Sequence, residues 1–485
     1  MHDNNSNLLF IIPGFFFIEK YQRLLYYNDI PLGTLQLSAF LKEKLKVIAN
    51  IIDLRVESEN DSDLAFKKGN EDQFKKTFLK VLERNNIQDF QNIGINCYTS
   101  FQFLYTDFIA NIIRKEFPTK NIIVGGYHPT GVPEDFTYKN SPYDFVIRGE
   151  AETTLLELFR SNKLQKNPIN HETQIITSNI LIDVDSLPFP DYELYLQQYP
   201  IKDKFKFEIY NSRGCPYQCA FCGENYPFRS NSFEKFKKDF EKLILIVEDF
   251  NKKKPKIGFA DQSFNRLLIN EQILDYLLEN KLQERFIFSC QSRIETVASN
   301  FKLINKFKKC KMIVGYGFET ANDILLREMK KTNNAAQYLE ETKRILNEYK
   351  DGSEIYCRLN VLVGFPGETQ KTFNDTVNFI ETYAVHEDIQ ISPTFFTNYP
   401  NVFVHENMEM YESKYGTEFL KEWWRLPSNP FKNAVPTKPS KNYSLKELLL
   451  DYKDRYITIL KEFKRQSFTE LVTWKKFYNN WYNEI

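Results

Sequence analysis

Histidine is scarce in this 485-residue chain: there are five, and none lies between His171 and His386. A histidine-rich metal centre in the middle of the chain is thereby excluded. An excess of charge of one sign is also lacking, since 64 Lys and Arg stand against 64 Asp and Glu. No global field draws the protein to nucleic acid or to a membrane surface, and a run such as Lys252-Lys-Lys254 reads as a solvated helix or loop end. The apolar run Leu8 to Ile18 has no basic segment before it, is interrupted by Pro13-Gly14 and is too short to span a bilayer, so Leu8 to Ile12 is expected to be a buried first strand. Internal repeats and long low-complexity segments are absent, which removes a scaffold or solenoid reading. Of the seven cysteines, Cys97, Cys290, Cys310 and Cys357 are dispersed, mostly in apolar strand-like segments, so no disulfide framework is expected and a reducing cytoplasm fits best.

What the chain does contain is a rhythm of short apolar runs alternating with helical patterns. Its length predicts two or three domains. Strands are expected at Leu8 to Ile12, Val47 to Leu54, Ile93 to Cys97, Asn121 to Val124 and Phe145 to Ile147, with helices opening at Pro31 and covering Phe101 to Phe117 and Ala151 to Phe159. Such alternation predicts an N-terminal Rossmann-like parallel sheet over residues 1–165, whose ligands sit beyond the carboxyl ends of the strands. A polar linker, 166–200, follows. From residue 201 to 400 a second alternating series supplies six βα units, which suits a partial (β/α)6 barrel of the TIM type. The rhythm then stops, and residues 401–485 read as a helical C-terminal region with helices at Met408 to Arg425, Leu445 to Arg465 and Phe468 to Trp481. Trp423, Trp424 and His405 could face a substrate channel, but an aromatic-rich helical tail is more often a core or lid.

Three cysteines stand together in Arg213-Gly-Cys-Pro-Tyr-Gln-Cys-Ala-Phe-Cys-Gly223, directly after the first strand of the second series. Cys215, Cys219 and Cys222 can share one face of a loop and hold three irons of a 4Fe-4S cluster, leaving the fourth iron open to chemistry. A structural zinc ion wants four protein ligands, and no second CxxC or nearby His completes the set, so a zinc site would need a distant ligand.

This CxxxCxxC loop, with Phe221 before its last cysteine, resembles the radical SAM superfamily. The resemblance implies that the open iron is chelated by the amino and carboxylate groups of S-adenosylmethionine (SAM), that Phe221 lies against the adenine, and that an electron from the cluster cleaves SAM to a 5′-deoxyadenosyl radical. Gly223, Arg293 and Glu319 are its further SAM-binding candidates, Glu319 standing at the Gly-x-Glu position of the fourth strand. Asp261, Gln262 and Gln291 could line the same cavity or merely tie loops together. Gly364-Phe-Pro-Gly-Glu-Thr369 is a landmark of the superfamily.

The N-terminal series resembles the cobalamin-binding domain that precedes the catalytic domain in one class of these enzymes. The matching residues are Pro31-Leu-Gly33, Gly125-Gly-Tyr-His128, Val146-Ile-Arg-Gly-Glu-Ala-Glu152 and the joining segment Asp183 to Asp191. The Asp-x-His-x-x-Gly motif of other cobalamin proteins is absent, so a His ligand to cobalt is not implied. Thr99, Ser100, Gly125, Gly126, His128, Thr130, Gly149 and Glu150, at the strand ends, are the cobalamin-binding candidates. His128 is expected to touch the cofactor's periphery, with a structural role next and cobalt ligation last.

Together the resemblances imply a cobalamin-dependent radical SAM methyltransferase. Hydrogen abstraction from an unactivated carbon would be followed by transfer of methyl from methylcobalamin to that carbon of a small-molecule or peptide substrate, with electrons from a donor such as flavodoxin or ferredoxin. The alternatives are a cyclase, a rearrangement enzyme or a sulfur-inserting enzyme with the same cofactors. A cobalamin or metal-binding sensor would need a partner-binding or nucleic-acid-binding module, and neither a basic helix nor such a motif is visible.

Overall fold

In the computed structural model the chain is described at residues 7–15, 29–66, 69–161, 164, 172–178, 180–200, 206–224, 226–249, 254–264, 268–351, 355–456 and 459. They fall into two compact units, one drawn from Met1–Phe205, Tyr399–Asn401 and Glu422–Phe431, the other from Lys206–Asn398, Val402–Lys421 and Lys432–Ile485.

The first unit holds six parallel strands: β1 (Leu8–Ile12), β2 (Ala49–Asp53), β3 (Asn92–Asn96), β4 (Asn121–Gly125), β5 (Phe145–Arg148) and β6 (Gln174–Thr177). Their order is β2-β1-β3-β4-β5-β6. All five residues of β1 are buried, as expected of a central parallel strand covered on both faces, and Leu8 pairs with Ala49 on one side and Asn92 on the other. The crossover helices Leu32–Leu45, Phe103–Glu116 and Glu152–Arg160 return the chain to the start of each next strand. Strand order reverses between β1 and β3, which fixes a crevice at their carboxyl ends.

The segment read as a linker contributes a strand, a short 3-10 turn at Val184–Ser186 and a helix to this unit. Gln174–Thr177 pairs in parallel with Phe145–Arg148 as an edge strand, largely exposed and therefore without the apolar run that marks β1. Helix Tyr192–Gln198 closes the end of β2: Tyr195 Oη donates to Asp53 Oδ2 at 2.9 Å, while Tyr199 Oη accepts from the Asp53 amide at 2.8 Å and meets Glu57 Oε1 at 3.1 Å.

The second unit carries β7 (Phe207–Ile209), β8 (Lys256–Phe259), β9 (Ile287–Arg293), β10 (Met312–Glu319), β11 (Cys357–Val363) and β12 (Ile389–Phe395). All pair in parallel and in sequence order, so six consecutive βα units form the expected barrel-like sheet without a reversal. One face is apolar, with Phe288, Cys290, Val314, Tyr316, Leu359 and Val361 buried. The alternate positions are polar or small: Gln291, Gly315 and Arg358 lie in register, as do Arg293, Gly317 and Asn360. A Cβ at Gly315 would stand 2.4 Å from Gln291 Oε1, which accepts from Asn360 Nδ2 at 2.9 Å, so a larger residue there would have to displace the Gln291 side chain.

The expected helix from Met408 to Arg425 is not continuous. Helix Met408–Tyr415 stops at Gly416, in the left-handed conformation, and the chain resumes as a short 3-10 turn at Trp423–Arg425. Trp423 and Trp424 are buried within the first unit, where Trp423 packs on Phe101 with ring centroids 4.8 Å apart, so they form core. Helix Leu445–Asp451 begins at a capping box of Ser444 and Glu447 and runs into a π turn at Tyr452–Tyr456. Apart from Ile459, the rest of the expected Leu445 to Arg465 helix, and all of Phe468 to Trp481, lie outside the described residues. No helix among the described residues is long and apolar enough to cross a membrane.

Candidate active site

The cysteine loop is shaped by its backbone. Gly214 has φ +75°, and a Cβ there would stand 2.3 Å from the Pro227 carbonyl oxygen, so only glycine fits. Cys215 N–H donates to the Tyr226 carbonyl at 3.2 Å, Cys222 N–H to that of Cys219 at 3.1 Å, and Ala220 N–H to that of Met329 at 3.0 Å. Cys215, Cys219 and Cys222 are half-buried, whereas the four dispersed cysteines are fully buried. Burial pushes the thiol of Cys215 up and that of Cys222 to about 11, so both stay neutral until a metal displaces the proton.

Among the described residues no three His, Cys, Asp or Glu side chains are arranged to hold a single metal ion. In a 4Fe-4S cluster each thiolate takes its own iron. Three half-buried thiols on one loop fit that group.

Side chains from the neighbouring strand ends converge on the loop. Arg293, at the end of β9, places Nη1 3.0 Å from Cys219 Sγ; its Nη2 donates to the Lys331 carbonyl at 2.6 Å and to Glu295 Oε1 at 2.8 Å. Its guanidinium lies over the Tyr217 ring, 4.0 Å from the centroid. Glu319 ends β10 beyond an irregularity in the ladder, with φ +69°, and pairs with buried Lys331 at 3.1 Å; Lys331 Nζ in turn lies 6.0 Å from the centre of the half-buried Phe221 ring. Gly223 is half-buried on the same loop. Of these, Tyr217, Glu295 and Lys331 are not evident from the sequence. Tyr217 lies inside the cysteine motif and Glu295 two residues past Arg293, while Lys331 carries no local signal at all.

Asp261, following β8, ties the entry to the cysteine loop: its Oδ1 accepts from Asn211 N–H at 3.2 Å and from the Ser212 hydroxyl. Oδ2 is buried without a protein partner, and burial pushes the carboxyl up to about 7. Gln262 is exposed.

In the first unit the expected cobalamin contacts separate into two groups. Gly126 has φ +121°, and a Cβ would stand 2.4 Å from the Cys97 carbonyl oxygen, so the chain turns there with its backbone close to β3. Gly125, Gly149 and Glu150 are half-buried beside it, and Thr99 leads into the next turn with its amide 3.3 Å from Gln102 Oε1. Tyr98, 59% exposed, stands edge to face with Tyr127 at 5.3 Å, an aromatic pair at the ends of β3 and β4.

The other group is engaged with the protein. His128 is 1% exposed, with Nδ1 2.8 Å from Ser100 Oγ and Nε2 3.1 Å from Asp135 Oδ2. Burial lowers its basicity despite the carboxylate, so the ring is neutral and bonded at both nitrogens, donating to Asp135 and accepting from Ser100. Asp135 also accepts from Trp424 Nε1 at 2.6 Å and from Arg425. Thr130 Oγ1 donates to the Gly126 carbonyl at 2.8 Å and accepts from Gly149 N–H at 3.1 Å, fastening β4 to β5. His128, Ser100 and Thr130 therefore support the strand ends from within. Of the roles expected for His128, these bonds describe the structural one.

Among curated proteins, an uncharacterized methyltransferase of Pyrococcus horikoshii is 26% identical over 402 residues, covering 78% of each chain. A tRNA-2-methylthio-N(6)-dimethylallyladenosine synthase of Anaplasma phagocytophilum is 22% identical over 271 residues, covering 53% of this chain and 56% of that relative. Among solved structures, the radical S-adenosylmethionine methyltransferase TsrM from Kitasatospora setae, with cobalamin and a [4Fe-4S] cluster bound, superposes with a TM-score of 0.60 at 14% identity, over 84% of this chain and 79% of TsrM. TsrM with tryptophan substrate and the SAM analog aza-SAM gives a TM-score of 0.63 at 13% identity, over 94% and 88%. At such identities the likeness speaks to the fold. Residues 209–380 match the model of the Radical SAM superfamily, which spans the cysteine loop, Arg293 and Glu319. That stretch is a radical SAM domain.

Proposed function

We propose that the protein is a cobalamin-dependent methyltransferase that moves a methyl group to an unactivated carbon of a small-molecule or peptide substrate. The observation that carries the proposal is the pairing, in one chain with the fold of TsrM, of a glycine-turned switch-point sheet and a radical SAM domain. Cys215, Cys219 and Cys222 would hold the cluster, and Phe221, Gly223 and Glu319 would border SAM. The Gly125-Gly126 turn, Thr99, Gly149 and Glu150 would border cobalamin, with Tyr98 and Tyr127 offering it an aromatic surface. His128, bonded at both nitrogens, offers no ligand to cobalt. When bound, the cluster and SAM supply a radical and cobalamin supplies the methyl group. The chain's own contribution is to bind and orient each group and to exclude water from it.

Product analysis with candidate substrates tests this: a methylated product should form together with both S-adenosylhomocysteine and 5′-deoxyadenosine. Deoxyadenosine without methyl transfer would refute it. The relative that makes a methylthio nucleoside favours sulfur insertion as the second reading, and a thiolated product would establish that instead. Cys219→Ala should abolish SAM cleavage under either reading.

A further inference from the structure

Arg293 is 7% exposed, and its guanidinium is fixed from several sides. Nη2 is spent on the Lys331 carbonyl and Glu295, and the plane rests on Tyr217, whose hydroxyl is itself held 3.0 Å from Thr296 Oγ1. The arm left over, Nη1, meets Cys219 Sγ at 3.0 Å. A cation anchored in this way is committed to the cysteine loop instead of standing open to an incoming carboxylate.

We propose that Arg293 is a positioning residue that tunes the cluster through Cys219 and raises its reduction potential. The inference rests on the radical SAM reading of the loop. Reduction places one more electron on the cluster. A fixed positive charge and an N–H···S bond lower the energy of the reduced form more than that of the oxidised form. Burial spares this interaction from screening by salt. Glu295, on the opposite arm, offsets part of the charge, so removing its carboxylate should act in the opposite sense.

The test uses the full chain reconstituted anaerobically, with iron and sulfide counted, and the cluster potential read by EPR-monitored redox titration. Arg293→Gln should lower the reduction constant at least tenfold, a shift of about 59 mV to more negative potential for a one-electron couple. Arg293→Lys should fall between that variant and the wild type, and Glu295→Gln should move the potential upward. Wild-type protein with about four irons and potentials unmoved by either Arg293→Gln or Glu295→Gln would overturn the proposal while leaving the cluster in place. If Arg293→Gln fails to retain iron, Glu295→Gln decides: an unchanged or lowered potential overturns the proposal and a raised one supports it. Wild-type protein unable to take up iron would instead sink the cluster reading itself.

Discussion

The carboxyl of Asp261 is expected to make the radical SAM domain less stable as pH rises. It is buried at the base of the cysteine loop, with two donors on Oδ1 and none on Oδ2. Burial raises its pKa from 3.8 to about 7, which opposes ionisation in the folded state. For an acid whose folded pKa lies above its unfolded one, the stabilising contribution is complete below the unfolded value. It is lost as pH climbs through the folded value. A shift from 3.8 to about 7 corresponds to on the order of 4 kcal/mol as an upper bound, at about 1.4 kcal/mol per pH unit. Asp261→Asn keeps an oxygen for Asn211 and Ser212 but cannot ionise. The difference in stability between variant and wild type should therefore grow in the variant's favour between about pH 4 and pH 7 and level off above that. For a domain of this size the full effect amounts to roughly 8 °C in Tm. Calorimetric melts of both proteins, reduced and under nitrogen, from pH 5 to 8 measure it, and all other titrations cancel in the difference. A difference that stays flat across that range would refute the reasoning.

Gly126→Ala places a Cβ against the Cys97 carbonyl in a backbone conformation that alanine avoids, so it should cost about 2 kcal/mol or more, read as a lowered melting temperature of the first unit. Lys331→Met leaves the buried Glu319 side chain without its ammonium partner and should cost roughly 3–5 kcal/mol in urea unfolding. Removing both partners, Lys331→Met with Glu319→Gln, should recover much of that loss.

The sequence made the central strands legible because burial on both faces leaves runs such as Leu8-Leu-Phe-Ile-Ile12, and the cysteine loop legible because its ligands are local. Gln174–Thr177 escaped notice because an edge strand pairs on one side and needs no apolar run. The helix from Met408 was overextended across Gly416, whose left-handed turn outweighs the apolar pattern beyond it. The surroundings of His128 were illegible for a different reason. A histidine after a Gly-Gly turn looks the same in sequence whether its ring points out or in, and its partners Asp135 and Trp424 lie 7 and 296 residues further on. The Arg293 to Cys219 contact joins residues 74 apart and is equally silent locally.

The presence of Tyr399–Asn401 and Glu422–Phe431 in the first unit sets a schedule for its synthesis. Phe101 and the Asp135 carboxylate receive Trp423, Trp424 and Arg425 only after residue 425 has been made. At roughly 5–20 residues per second, the ribosome needs on the order of ten to forty seconds to travel there from residue 205. Through that interval the nascent first unit carries an uncovered aromatic face. A fragment ending at residue 205 would carry it permanently, and would be expected to depend on chaperones or to aggregate.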